Sequence, residues 1–213
     1  MIDTMPRTTM TEDQHTSGAY PKRPLKLLRG EGCTVWDDAG NAYIDVTSGQ
    51  GVAVLGHAHP ALTAAIQQQA ETLVTCPEIF YNDRRAQLYS LLTEILPAAL
   101  DRFFLCNSGA EAVEGALKVA RLLTDREGIV AVKRGFHGRT LGALSTTWNK
   151  KYREPFADWQ PTVNHISAGD IDALATAITS DTAAVIVEAI QGEGGVHPMD
   201  ASYLQALRAH CNA

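Results

Sequence analysis

From Arg102 onward the chain alternates short apolar runs with helical patterns, and this alternation constrains the fold more than any other feature. The runs "RFFLC" (Arg102–Cys106), "GIVAV" (Gly128–Val132) and "TAAVIVEAI" (Thr182–Ile190) have the length and apolar density of strands buried on both faces. Around them, "GAEAVEGALKVARLL", "DIDALATAI" (Asp170–Ile178) and "DASYLQALRAHC" (Asp200–Cys211) carry apolar residues at helical spacing, with Asp200 in an N-cap position. Strands alternating with helices predict an α/β fold, a mixed and mostly parallel sheet with helices on both faces. The last helical pattern is of a kind normally followed by another strand, so the sequence reads as the incomplete first part of such a domain.

Before this region the signals are different. Thr34–Trp36 and Ala42–Val46 flank the turn residues "DDAGN" and predict a hairpin. The glycine-rich "TSGQGVAVLGHAHP" leads to Pro60, suited to the first turn of a helix, and a second helix is expected over Arg84–Leu96, stopped by Pro97. Residues 1–24 are polar and are expected to be disordered, 25–56 to form a hairpin segment of a small domain, and 57–213 to begin a large one.

Composition acts mainly by exclusion. The 213 residues carry a formal net charge of -6, which argues against a nucleic-acid partner. No window approaches eighteen apolar residues, so no membrane span is expected, and no secretory or transit pattern opens the chain. Cys33, Cys76, Cys106 and Cys211 form no CxxC pair, which argues against zinc and fits a reducing cytoplasm.

Three clusters can carry chemistry. In "NSGAEAVEGALKVAR" a turn through Asn107, Ser108 and Gly109 opens a helix near Ala110, leaving unpaired amides at the positive end of the helix dipole, where phosphate binds readily. The same "SGAE" also fits a capping box closed by Glu111. Neither GK[ST] nor GxGxxG is present there, which removes the P-loop and dinucleotide-binding families. In "KRGFHGRTLGALS", after the strand "GIVAV", Phe136 and His137 offer flat faces for an aromatic ring and Arg139 a planar fork for a carboxylate. In "VEAIQGEGGVHP", Glu188 and Glu193 stand where a strand runs out toward the same crevice, since ligands of α/β sheets sit beyond the strands' carboxyl ends.

In this order and spacing the three clusters, with "LGHAHP" and "FYN" (Phe80–Asn82), resemble the class III aminotransferases of the fold-type I pyridoxal phosphate enzymes, in the acetylornithine and ornithine branch. "QAETL" and "TWNKKYREPF" are more similar to the branch that acts on carrier-protein-linked acyl-lysine or ornithine. The resemblance implies that Ser108, Gly109 and Ala110 hold the phosphate of pyridoxal 5'-phosphate, that Phe136 stacks on its ring beside His137, and that Glu188 lies close to that ring. It further implies that Arg139 binds the substrate carboxylate, that Glu193 is the acid that swings aside between substrates, and that Tyr81 lines the substrate pocket. At Gln50 the family usually has an apolar or aromatic residue instead. The lysine and aspartate that engage the cofactor's aldehyde and ring nitrogen are expected beyond Ala213, because Lys22, Lys26, Lys118, Lys133, Lys150 and Lys151 stand in other contexts. The implied enzyme is a cytoplasmic homodimer taking amino-acid and 2-oxo acid substrates, with a small carrier protein as a further partner. A 4-aminobutyrate aminotransferase, an aminomutase and a non-catalytic phosphate-binding fragment are the competing readings.

Overall fold

The computed structural model describes residues 5–213. Contacts divide the chain into two compact units, Met1–Leu88 and Tyr89–Ala213.

The first unit opens with α1 (Met5–His15), whose described side chains, from Thr9 on, are all exposed. An antiparallel sheet follows, in the order β1 (Leu27–Glu31), β2 (Thr34–Asp37), β3 (Ala42–Ile44). The expected hairpin is β2–β3, and its turn is tied by one carboxylate. Asp37 Oδ1 accepts from the Ala39 and Asn41 amides at 3.0 and 2.8 Å, and Oδ2 from Asn41 Nδ2 and the Tyr43 hydroxyl, both at 2.9 Å. The glycine-rich segment closes a left-handed turn, α2 (Ser48–Gly51), with φ of 50, 58, 66 and 81° at Ser48, Gly49, Gln50 and Gly51. Asp45 holds it: Thr47 donates its hydroxyl at 2.7 Å and its amide at 2.9 Å, Gly49 its amide at 2.9 Å, and His57 Nε2 lies 2.8 Å away. These bonds, from Thr47 first and His57 second, keep the Asp45 carboxyl below the usual carboxylate range. Next come α3 (Pro60–Ala70), with Pro60 in its first turn, and α4 (Asp83–Ile95), which begins in this unit and ends in the second.

The second unit continues with α5 (Gly109–Thr124), β4 (Gly128–Val132), α6 (Leu141–Thr146), α7 (Lys150–Arg153), a 3-10 turn (Glu154–Trp159) and β5 (Val163–Ile166). It is completed by α8 (Ile171–Ala177), β6 (Thr182–Ile186), the two-residue strands β7 (Ile190–Gln191) and β8 (His197–Pro198), and α9 (Ala201–Asn212). Its main sheet is parallel, in the order β5-β4-β6, with Ile129 opposite Val163 on one side and Ala184 on the other. Alternate residues of β4 point to opposite faces. Val130 and Val132 pack with Ile166, Leu174 of α8, and Tyr203 and Leu207 of α9 in one buried cluster. α6, with Ala143 and Leu144 buried, packs on β4 and β5, and α5 packs on β6. Fully burying a side chain such as Leu174 contributes about 1.5–3 kcal/mol, so this cluster is the main anchor of the layer.

Two expected strands differ from the structure. Arg102–Cys106 is irregular, because no strand among the described residues lies beside it to complete a ladder. Its aromatics pack without one: Phe103 stacks on Tyr89 at 5.4 Å, and Phe104 rests against Gly115 of α5. The run Thr182–Ile190 leaves the ladder after Ile186 and resumes as β7, antiparallel to β8. Its side chains from Ala183 to Ile186 are half-buried rather than buried, since β6 is an edge of the main sheet.

Candidate active site

Ser108 is the N-cap of α5, with extended backbone (φ -152°, ψ 159°), and its Oγ accepts from the Glu111 amide at 3.2 Å. Glu111 Oε2 reaches back to accept the Asn107 amide at 2.7 Å, a bond that leads the interactions holding its carboxyl below the ordinary value. The capping box anticipated in "SGAE" therefore forms, with the return bond landing one residue earlier than the motif prescribes. It uses the Glu111 amide and leaves those of Gly109 and Ala110, which have no acceptor within the helix. A Cβ built at Gly109 would meet nothing within 4 Å, so the terminus opens on clear space.

The loop after β4 is seated against this terminus. Gly138, at φ +133°, lies so close that a Cβ there would stand 2.9 Å from the Cβ atoms of both Ala110 and Ala143. Only glycine adopts that backbone without strain. Thr147 fixes the loop from behind, accepting the His137 amide at 2.9 Å and donating to the Gly138 carbonyl at 3.1 Å. Glu114, one helical turn into α5, accepts at a single oxygen from the Thr140 hydroxyl (2.6 Å) and the Gly142 and Ala143 amides (2.9 and 3.0 Å). Burial alone would push the Glu114 carboxyl up, but these three donors hold it below the usual range. α6 thus begins on a carboxylate, which explains how the poor helix former "LGALST" folds as a helix.

The third cluster meets the second through Glu188. Its Oε1 accepts the Phe136 amide at 2.6 Å and its Oε2 the Gly192 amide at 3.1 Å, so one carboxylate joins the two loops at the carboxyl ends of β4 and β6. Phe136 is half-buried and lines a cavity of about 470 Å³ with Arg134, Thr147, Trp148, Lys150 and Glu193. Arg139 is exposed and stands just before Thr140, the N-cap of α6, and Glu193 is exposed at the cavity wall. Tyr81 belongs to the first unit, where its ring is fully exposed, and the site is built from second-unit residues alone.

His137 is buried and its Nε2 has no hydrogen-bond partner among the described residues. Burial pushes its pKa down, opposed by the Glu188 charge, and burial and then Arg153 do the same to His165. A histidine with a depressed folded pKa stabilises the fold fully above its ordinary value near pH ~6.5 and loses that contribution as the pH falls toward the folded value. The melting temperature is expected to drop on acidification from pH 7 to 5, and His137→Gln should flatten part of that slope. A melt unchanged over this range would contradict a buried neutral imidazole.

Sequence reasoning did not single out Glu114, Thr147 or Gln191. Gln191 is buried and donates from Nε2 to the Lys133 carbonyl at 2.7 Å, holding the "QGEGG" turn to the "KRGFHGR" loop. A polar residue directly after an apolar run was the signal for Gln191, whereas Glu114 and Thr147 reveal themselves only through partners brought close by the fold.

A parallel ladder sheathed by helices, with a free helix terminus and two tied loops at the strand ends, is the arrangement of the fold-type I transferases. The chain belongs to the aminotransferase class III family, whose model matches residues 17–213. Among similar proteins, a [LysW]-aminoadipate semialdehyde transaminase of Deinococcus radiodurans is 49% identical over 199 residues, 92% of this chain and 46% of that protein. An acetylornithine aminotransferase of Methanopyrus kandleri is 46% identical over 200 residues, 94% of this chain and 51% of that protein. The solved ornithine aminotransferase of Toxoplasma gondii superposes with a TM-score of 0.89 at 31% identity, covering 97% of this chain and 50% of that one. The chain thus spans about half the length of the curated relatives it matches. No helix among the described residues is long and apolar enough to cross a membrane.

Proposed function

We propose that this chain forms the phosphate- and carboxylate-binding part of a pyridoxal-phosphate-dependent aminotransferase. The enzyme would transfer the terminal amino group of an N-acylated ornithine or lysine to 2-oxoglutarate, in arginine or lysine biosynthesis. The observation that carries the reading is the seating of Gly138 on Ala110, which joins the free first turn of α5 to the loop bearing Phe136 and Arg139. The names of the two relatives support the substrate class, and the bracketed LysW in one supports a substrate borne on a carrier protein. The reading includes a cytoplasmic homodimer, a boundary between small and large domains near residue 56, and a Schiff-base lysine outside these residues.

The residues present fit the cofactor. The amides of Gly109 and Ala110 and the Ser108 hydroxyl can receive a phosphate in the open space before α5, and Phe136 gives a flat face on the wall of the 470 Å³ cavity. Pyridoxal phosphate, when bound, supplies the electron sink that lets an amino group be exchanged. In this reading Arg139 holds the substrate carboxylate, Glu193 adjusts the charge of the pocket, and His137 flanks the ring as a neutral group. Glu188 acts through the Phe136 amide and sets the height of the stacking ring.

Equilibrium dialysis of the chain against pyridoxal phosphate tests the site. Gly109→Asp would place a carboxylate in the cup at a position where acid favours the helix, so folding should persist while affinity falls at least about tenfold. Equal affinity with and without the substitution would overturn the proposal. For the assembled enzyme, preference for 4-aminobutyrate over N-acetylornithine and acyl-lysine would overturn the substrate assignment.

A further inference from the structure

Arg139 is the single residue between two contacts that its loop makes with one helix. On the preceding side Gly138 rests on Ala110, where a Cβ would stand 2.9 Å from the Ala110 Cβ. On the following side Thr140, Gly142 and Ala143 all donate to Glu114 Oε1, at 2.6, 2.9 and 3.0 Å. Ala110 and Glu114 are four residues apart in α5, so they share one face of the helix and lie about 6 Å apart along its axis. α5 therefore grips the loop on both sides of Arg139.

The second grip is shaped for a carboxylate. Thr140 is the N-cap of α6 but makes no side-chain cap bond to its own helix, and its hydroxyl donates to Glu114 instead. Glu114 accepts the second and third amides of α6, the two that a capping side chain would otherwise serve. Gly142 leaves the room for it, since a Cβ there would run into the Glu114 carboxylate. Glu114 is half-buried and Ala143 is buried, so the bonds are sheltered from water at one end.

The geometry points to Glu114 as a positioning residue that fixes where Arg139 stands relative to the proposed phosphate cup, and so how far from a bound phosphate a carboxylate is received. The inference rests on the aminotransferase reading for the two anions, whereas the grip itself does not. Both anchors belong to the helix whose first turn forms the cup, so the spacing is a property of α5. Charge and position act with opposite signs here. The negative charge of Glu114 by itself opposes an anion at Arg139, so its removal would tighten carboxylate binding if only charge mattered. It weakens that binding when position matters, since a displacement of about 1 Å in an anchoring group costs a site heavily.

The test uses the full chain in inorganic phosphate, with glutarate, an unreactive dicarboxylate, as the probe. Phenylglyoxal modifies accessible arginines, peptide mapping gives the rate at Arg139, and protection by glutarate gives its dissociation constant. Glu114→Ala should weaken glutarate binding at least about tenfold, and Glu114→Gln, which keeps one carbonyl acceptor, by a smaller factor. Gly142→Ala keeps the acid and puts a better helix former into α6, so the helix should persist while the carboxylate is pushed off its amides. It too should weaken glutarate. In all three variants phosphate affinity, read by calorimetry, should stay within about threefold, because Ser108 and Glu111 set the first turn of α5 without Glu114. Parallel loss of both affinities would overturn the proposal by making Glu114 a residue of general stability. Unchanged or tighter glutarate binding in Glu114→Ala and Glu114→Gln would also overturn it, as would an Arg139 that glutarate does not protect in the unaltered chain. Dialysis of the unaltered chain against pyridoxal phosphate is scored separately, so failure of the cofactor reading and failure of the grip remain distinguishable.

Discussion

Gly138→Val is expected to lower the melting temperature by on the order of 10 °C and to reduce pyridoxal phosphate affinity at least about tenfold. Two effects add at this residue. Its φ of +133° lies in a region that a β-branched residue enters only at about 1–3 kcal/mol. The new side chain would also begin 2.9 Å from Ala110 and Ala143, and overpacking of this kind costs a further ~1–3 kcal/mol. Relief requires the loop to move off the start of α5, which separates Phe136 and Arg139 from the proposed phosphate cup. Gly109→Ala is the comparison, since its Cβ meets no atom and its backbone is ordinary. Thermal melts and dialysis of both variants check the claim, and a Gly138→Val protein that melts and binds like Gly109→Ala would refute it.

Glu188→Ala is expected to have the second largest effect. It strips the acceptor from two amides at once, that of Phe136 in a part-buried setting and that of Gly192 in an exposed one. An unsatisfied buried amide costs about 1–3 kcal/mol, so the loss should be visible in a melt and the stacking ring should lose its support. Glu188→Gln keeps one carbonyl acceptor and should fall between the two. A second readout separates positioning from mere destabilisation: the Glu188 charge raises the His137 pKa against burial, so both variants should move the His137 titration to lower pH by NMR. An unmoved histidine with intact cofactor binding would show that Glu188 does not set this site.

Both predictions concern glycine and acid positions that the sequence marks but does not explain. "GFHGR" shows a glycine-bounded loop, yet nothing local says that its second glycine must clear Ala110, which precedes it by 28 residues in the chain. Glu188 looks like a loop acid beyond a strand until the Phe136 amide is found 2.6 Å from it. Local signals did read correctly where the partner is also local. The Asp37 turn, the Ser108 cap, the Asp200 cap and Pro60 at a helix start are all set by bonds or steric limits within a few residues. The strand Arg102–Cys106 misled because apolar density measures what a segment can bury, not whether a neighbouring strand stands ready to pair with it.

The sequence by itself determined the alternation of strands and helices, the turn and cap chemistry, and the three motif clusters, since periodicity and short-range hydrogen bonding are written in adjacent residues. Tertiary structure alone decided that Glu188 would bridge two loops, that Glu114 would start α6, that β6 would be a half-buried edge, and that Lys133, Arg134, Lys150 and Arg153 would gather about Trp148. Each of these depends on groups far apart in the chain, whose approach is set by packing of the sheet and its helices rather than by any local preference.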